Sequence, residues 1–476
     1  MIGIFRIAKN SSLVLIARAT DVLSSILIAG ILARYLGVGD YGNYLFIMGL
    51  VLTTTALAHM GLPQILVREM SQDIGAMPKF IRCGLVITGA SLVLTTLLIF
   101  SIGAFSSWNY QMFFAVSAAL LSESMVLISG PFISAFISIE RMEYDALVTV
   151  TNRLVLIGLL MGFVSRDLGF ISIFLAMAIA NFLRLSAILF ISKRLNILPA
   201  RHMTRADLTY LLRETLPVGV SFILTQLYLY TNLFLLKILR DPEEVALFQA
   251  PFSIILKLQI LPVILIVAFA PVMARLATAD DAYKDLRAIY LWLIKHLFIV
   301  CLPLAALGVF LAKDIVLLIF GADFLAASLS FQILIWIVGF YFLNIFSDKI
   351  LQVIFKQRLL IISSGITFSV NVLLSFIFIS GYGYVGGSIA TLISTAILFL
   401  TNFFFVAKYL KNMSLSFMVK PLAAFVSVTT AFYAARDLNM AILFPAGIMT
   451  YFLMLLMLKT FSRSELSLFL TAVNRE

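Results

Sequence analysis

Apolar runs of about twenty residues recur along the whole chain, separated by short polar stretches. A helical run of that length crosses a hydrocarbon core of about 30 Å. In lipid the backbone can satisfy its own polar groups only in helices or closed barrels. Barrel strands would show a ten-residue rhythm of alternating polarity, and these runs are continuous. The pattern predicts spans at 11–33, 43–66, 80–104, 111–138, 146–164, 168–192, 215–239, 246–273, 289–312, 328–355, 359–380, 384–407, 417–435 and 440–460. The expected fold class is an all-α integral membrane protein of about 14 transmembrane helices.

Composition agrees. Of 476 residues, 62% are hydrophobic and 12% charged, where a soluble domain carries about a quarter charged residues. The mean hydropathy is +1.09. The first run, from near Leu13, is longer than the apolar core of a signal peptide and is followed at once by a second run, so it reads as a span. Cys83 and Cys301 lie apart, and His59, His202 and His296 are scattered, so neither a metal site nor a cofactor is expected. The net charge of +11 is explained by topology, and no nucleic-acid partner is expected.

The positive-inside rule tests the span count. With the N-terminus cytoplasmic, inside segments hold clusters such as Arg68, Lys79 and Arg82, then Lys193, Arg194, Arg201, Arg205 and Arg213. Outside segments hold single cations such as Arg34, Arg166 and Lys313. The bias alternates along the chain, and one missed span would invert every later loop. Both termini are expected on the cytoplasmic side of the inner membrane. The outer loops are short and carry no clustered acid, base or nucleophile, so an enzyme is not expected.

The longest polar stretch, Leu198 to Glu214, is basic and contains an amphipathic segment from Arg205 to Leu212. It divides a six-span lobe (1–198) from a second (215–407), with 199–214 as a cytoplasmic linker and 408–476 as an appended hairpin. The lobes correspond weakly: Asp167-Leu168-Gly169-Phe170 opens span 6, and Gly381-Tyr382-Gly383-Tyr384 opens span 12. Six spans per half implies two parallel bundles related by an axis along the membrane normal, with a central cleft between them.

Specific strings extend this picture. Leu32-Ala33-Arg34-Tyr35-Leu36-Gly37 is followed by Asp40-Tyr41-Gly42; Gly61-Leu62-Pro63 by Val67-Arg68-Glu69. Leu216-Pro217-Val218-Gly219, Ala270-Pro271-Val272-Met273-Ala274-Arg275 and Gly383-Tyr384-Val385-Gly386-Gly387 follow in order. Over roughly residues 5–407 the chain resembles the O-antigen (Wzx-like) flippases of the multidrug/oligosaccharidyl-lipid/polysaccharide exporter superfamily. The resemblance implies movement of an undecaprenyl-diphosphate-linked oligosaccharide from the cytoplasmic to the outer leaflet, for O-antigen, capsule or exopolysaccharide synthesis. It implies as partners that lipid-linked oligosaccharide, membrane lipids, and a polysaccharide polymerase with chain-length machinery. Where the family often has Asp in span 7, this chain has Asn232, which places ion coupling there in doubt.

Ionisable residues at membrane depth are costly and point to function. Arg18 and Asp21 stand three residues apart on one helical face, where they could pair. Glu123 lies mid-span, Lys257 about eleven residues into span 8, and Arg153 and Arg184 nearer the cytoplasmic ends. Lys and Arg near span ends can also snorkel to the interface. Cations outnumber anions, which suits a diphosphate entering the membrane better than a cationic drug. The candidate substrate-binding set is Arg18, Lys257, Arg184, Asn232, Gln226 and Gln259, with Asp21 and Glu123 as candidate ion-coupling groups. A multidrug or cation exporter of the same superfamily and a lipid II flippase remain as alternatives.

Overall fold

The structure is a computed structural model. It describes residues 2–59, 61–106, 108–200, 202–259, 282–356, 358–411, 413, 416–434 and 440–460, with a few positions between 262 and 276. The end of predicted span 8, with Pro271, and residues 461–476 lie outside the described residues. Among the described residues there are helices and no strands.

The first half contains α1 (Ile2–His59), α2 (Leu62–Gln72), α3 (Met77–Phe105), α4 (Tyr110–Ser138), α5 (Met142–Val164), α6 (Phe170–Arg194) and α7 (Arg205–Leu239). α8 (Pro242–Lys257) follows. Then come α9 (Ala282–Phe310), α10 (Ala312–Phe320), α11 (Ala327–Leu334), α12 (Ile337–Val353), α13 (Arg358–Leu410), α14 (Val419–Ala434) and α15 (Met440–Met457).

Nine helices among the described residues are long and apolar enough to cross a membrane. Two of them are too long to cross once. The segment Ala17–Ala56 has 40 residues and Arg358–Leu410 has 53, or about 60 and 80 Å at 1.5 Å per residue. Each is broken by one glycine, Gly37 at φ 68° and ψ 177° and Gly383 at φ 56° and ψ −136°. Side chains with a Cβ rarely adopt a positive φ of this kind. Spans predicted as 11–33 and 43–66, and as 359–380 and 384–407, are thus joined by single-residue turns.

Two predicted spans, 43–66 and 246–273, are corrected, and a third carries an internal turn. Span 43–66 ends in α1, and after Gly61, at φ 67° and ψ 10°, the chain starts the separate α2. Span 328–355 matches one apolar stretch, Ala327–Val353, within which a turn at 335–336 separates α11 from α12. Span 246–273 is interrupted after Lys257 by a turn at 258–259. The cause is local, since Pro262 lacks the N–H that Leu258 would receive, and its ring crowds that carbonyl.

The chain forms two compact units, 1–246 with 319–323, and 247–318 with 324–476. In the first, α4 lies along α6, α1 contacts α3, α5 and α7, and α5 packs on α6. α3 shows the membrane pattern plainly: Thr88, Thr95, Ile99 and Gly103 are buried while Val93, Leu94 and Leu97 are exposed. Its outward face is the more apolar one, as lipid requires. In the second unit α12 packs along α13 and α9. The final helices rest on α9, where Ile299 and Leu302 meet Ala424, Val428 and Tyr451.

The amphipathic stretch 205–212 is the start of α7. Thr204 caps it reciprocally with Asp207, and the helix continues unbroken into the predicted span. Asp207 also binds Lys79 at 2.9 Å, and Arg68 bridges Glu69 and Glu214, each at 2.6 Å. Ala200 N–H donates to Pro78 O at 2.8 Å. The hydrogen bonds from Lys79 and then Thr204 hold the Asp207 carboxyl down at about 2.

Candidate functional site

Six charged residues of the first unit, on α1, α4, α5 and α6, are electrostatically linked. Asp21 on α1 accepts two hydrogen bonds from the Arg153 guanidinium on α5, from Nε at 2.8 Å and Nη2 at 2.5 Å. The expected Arg18–Asp21 pair is therefore replaced: Asp21 takes Arg153 across helices. Arg153, a candidate for snorkelling from sequence, is instead held in an ion pair with its side chain 29% exposed. Asp145, about two helical turns before Arg153 on α5, interacts with Arg184 of α6 and with Arg18. Arg184 in turn interacts with Asp145, Arg153, Glu123 and Asp21.

Asp145 was missed in the sequence, where it reads as an ordinary acidic residue in the first turn of a helix. With it, the network holds Arg18, Arg153 and Arg184 against Asp21, Asp145 and Glu123. The excess of cations expected from sequence is absent in this network, because each arginine has a carboxylate within electrostatic reach.

Hydrogen bonds fix the helices that carry these groups. Asn152 Nδ2 donates to Ala180 O at 3.0 Å and to Asn181 Oδ1 at 3.2 Å. Asn181 Nδ2 donates to Ser122 Oγ at 2.9 Å. These bonds tie α5 to α6 and α6 to α4, immediately beside Arg153 and Glu123. Asn181 is occupied in this clamp.

Arg184 and Glu123 line a cavity of about 660 Å³ that is otherwise mostly apolar, with Gln64, Thr88, Pro131 and Ser134 among its walls. Gln226 and Asn232 lie on α7; Gln226 is half-buried and Asn232 is buried at 2% exposure. Lys257 and Gln259 belong to the second unit. Lys257 closes α8, and Gln259 lies in the turn after it. α8 is continuous from Pro242 to Lys257, so the eleven residues counted into the span before Lys257 are all helical.

The second unit has a polar cluster that the sequence did not single out. Asn402 Nδ2 donates to Asn344 Oδ1 at 2.7 Å and to Asp348 Oδ1 at 2.8 Å. Ser347, beside Asp348 on α12, shares a hydrogen bond of 2.7 Å with Tyr290 of α9. Three of these residues come from α12, one from α9 and one from the far end of α13, so only folding joins them. Among the described residues no group of three His, Cys, Asp or Glu could hold a metal ion.

The family of polysaccharide biosynthesis proteins matches residues 7–277, more than half of the chain. The chain belongs to that family. The MatE family also matches, over residues 217–377. No curated protein matches the sequence. The fold is similar to that of the lipid II flippase MurJ in its inward closed conformation, with TM-score 0.71 and 17% identity, covering 94% of this chain and 97% of that one. It is also similar to an inward-facing multidrug resistance MATE family transporter of the MOP superfamily, with TM-score 0.59 and 16% identity, covering 84% and 99%. The Vibrio cholerae MATE transporter VcmN in its bent form gives TM-score 0.57 and 14% identity, covering 86% and 98%. The chain is thus a multi-pass membrane protein with the helical fold of MOP-superfamily transporters.

Proposed function

We propose that this protein is a flippase that moves an undecaprenyl-diphosphate-linked oligosaccharide from the cytoplasmic to the outer leaflet, by alternating access. The observation that carries the reading is the network around Arg18, Arg153 and Arg184 in a chain of the polysaccharide biosynthesis family. Guanidinium groups suit a diphosphate because they donate paired, charge-assisted hydrogen bonds. Without substrate, Asp21, Asp145 and Glu123 compensate the arginines inside the bilayer. An arriving diphosphate would compete with the carboxylates for the same donors. Protonation of Glu123 or Asp21 would free an arginine, which gives a route to proton coupling. Gln226 and Asn232 on α7 are the further substrate contacts proposed for the first unit, and Lys257 and Gln259 are those proposed, separately, for the second.

An anionic head group moving outward also runs down the membrane potential, by about 2.3 kcal/mol per charge per 100 mV. The protein would lie in the inner membrane with both termini cytoplasmic, act without enzymatic chemistry, and work beside a polymerase and chain-length machinery. The second reading is a lipid II flippase, favoured by the similarity to MurJ over 94% of this chain. Both substrates present a polyprenyl diphosphate and differ in the sugar.

The test is flipping in proteoliposomes, with fluorescent undecaprenyl-diphosphate oligosaccharide and lipid II supplied separately. Transport of the oligosaccharide that collapses in Arg184→Ala supports the proposal. Transport of lipid II alone selects the second reading. Export of a cationic dye with neither lipid moved overturns both.

A further inference from the structure

A second cavity in the first unit, of about 780 Å³, is unrelated to the charge network. It lies where the middle of α1, the end of α3, the starts of α4 and α6 and the end of α7 come together. The positive-inside pattern assigns all these ends to the outer face. Ligand sites commonly have volumes of this order, with apolar walls and a few converging polar groups.

Its walls combine aromatic faces with planar polar groups. Phe46, Trp108, Phe170 and Phe234 supply the rings; Asp40, Asn43, Asn109, Gln111 and Lys237 supply donors and acceptors. Several are held in place. A side chain on Gly103 would meet the Trp108 ring within 3.0 Å, so that glycine lets the indole pack close against α3. Asn109 Oδ1 caps α4 by accepting from Met112 N at 2.8 Å, which leaves its amide N–H groups for another partner. Lys237 Nζ donates to Asn43 Oδ1 at 3.0 Å and stands 5.5 Å from the Phe46 ring centre. Thr53 Oγ1 is buried in the same wall and has no hydrogen-bond partner.

We propose that this cavity is a glycan-binding site at the outer end of the first unit, formed by Trp108 and the amides of Asn43, Asn109 and Gln111 around hexopyranose rings. Sugars present apolar C–H faces and adjacent hydroxyls. Aromatic faces cover the former, and amides and carboxylates, which offer paired donors or acceptors, match the latter. The one cation and one carboxylate give no net charge, so neither an organic cation nor a phosphate is the better match. The ligand's identity as the sugar of a flipped lipid rests on the proposed function; the site itself does not.

The test uses the full chain in nanodiscs, titrated with soluble hexamers of hexose, N-acetylhexosamine and deoxyhexose. Binding is read by calorimetry and by Trp108 emission in a Trp292→Phe/Trp336→Phe background. The expected result is saturable binding of at least one hexamer, weakened tenfold or more by Trp108→Ala and by Gln111→Ala, and unchanged by Val93→Ala on the lipid-facing side of α3. Gln111 is exposed, so its variant stays informative where loss of Trp108 impairs folding. Absence of binding across the panel, or equal binding by Gln111→Ala and wild type, overturns the site. Binding without flipping of any lipid-linked glycan retains the site and overturns the flippase reading; flipping without binding does the reverse.

Discussion

One carboxylate oxygen of Asp21 accepts two hydrogen bonds from the guanidinium of Arg153, a residue 132 positions later in the chain. This pair joins α1 to α5, in a unit where Arg153 also interacts with Arg184. Asp21→Ala and Arg153→Ala are each expected to abolish flipping. A double-mutant cycle on thermal stability in detergent should give a coupling of about 0.5–3 kcal/mol, the range for directly contacting residues. Additive losses would show that the pair contributes nothing as a pair.

Glu123 shares its cavity wall with Arg184. Glu123→Gln keeps the shape and removes the charge, so a coupling role predicts transport that no longer responds to an imposed pH gradient. A retained response in this variant moves coupling to Asp21 or elsewhere.

The Lys79–Asp207 latch should make the α3–α7 connection acid-labile. Asp207 is depressed to about 2 by its hydrogen bonds, against about 3.9 for a free aspartate. A depressed carboxyl contributes stability that is complete above about pH 4 and is lost as pH falls toward 2. Hydrogen exchange of residues 199–212 should rise through that window in wild type. In Asp207→Asn it should be high already at pH 6 and flat below.

Gly42 lies against the backbone carbonyl of Pro242, too close for any Cβ, whereas Gly89 has open space around it. Gly42→Ala must therefore move backbone, a packing conflict that costs typically about 1–3 kcal/mol. Gly89→Ala should be neutral or better, since alanine favours helix. Equal melting temperatures for the two variants would contradict the close approach of α1 and α8.

Asn402 donates to both Asn344 and Asp348. Asn402→Ala leaves a carboxylate without those donors in a buried setting, at a cost of about 1–3 kcal/mol or more. The matching double variant Asn402→Leu/Asp348→Leu should recover part of that loss in thermal melts, because the unmet polar group is gone.

Much of this molecule was legible in its order of residues. Twenty-residue apolar runs must be helices in lipid, because no other single segment satisfies its backbone there. That alone fixed the class, and the ordered strings around Gly37, Gly61 and Gly383 pointed to the superfamily. At Gly37 and Gly383 a single positive-φ residue turns the chain, a geometry that hydropathy does not encode. The break after Lys257 is foreshadowed by Pro262, although hydropathy runs straight through it.

Partners were decided only by the fold. Arg18 and Asp21 look paired because spacing along one helix is all that a sequence displays. Arg153 reaches Asp21 because α5 packs on α1, and Asp145 becomes part of a charge network because α6 brings Arg184 beside it. Trp108 and Lys237, 129 positions apart, share a cavity for the same reason. The sequence determined how much apolar surface each helix carries and therefore that the chain resides in a membrane. Tertiary packing decided which buried charges meet, since that depends on helix faces turned toward each other and not on distance along the chain.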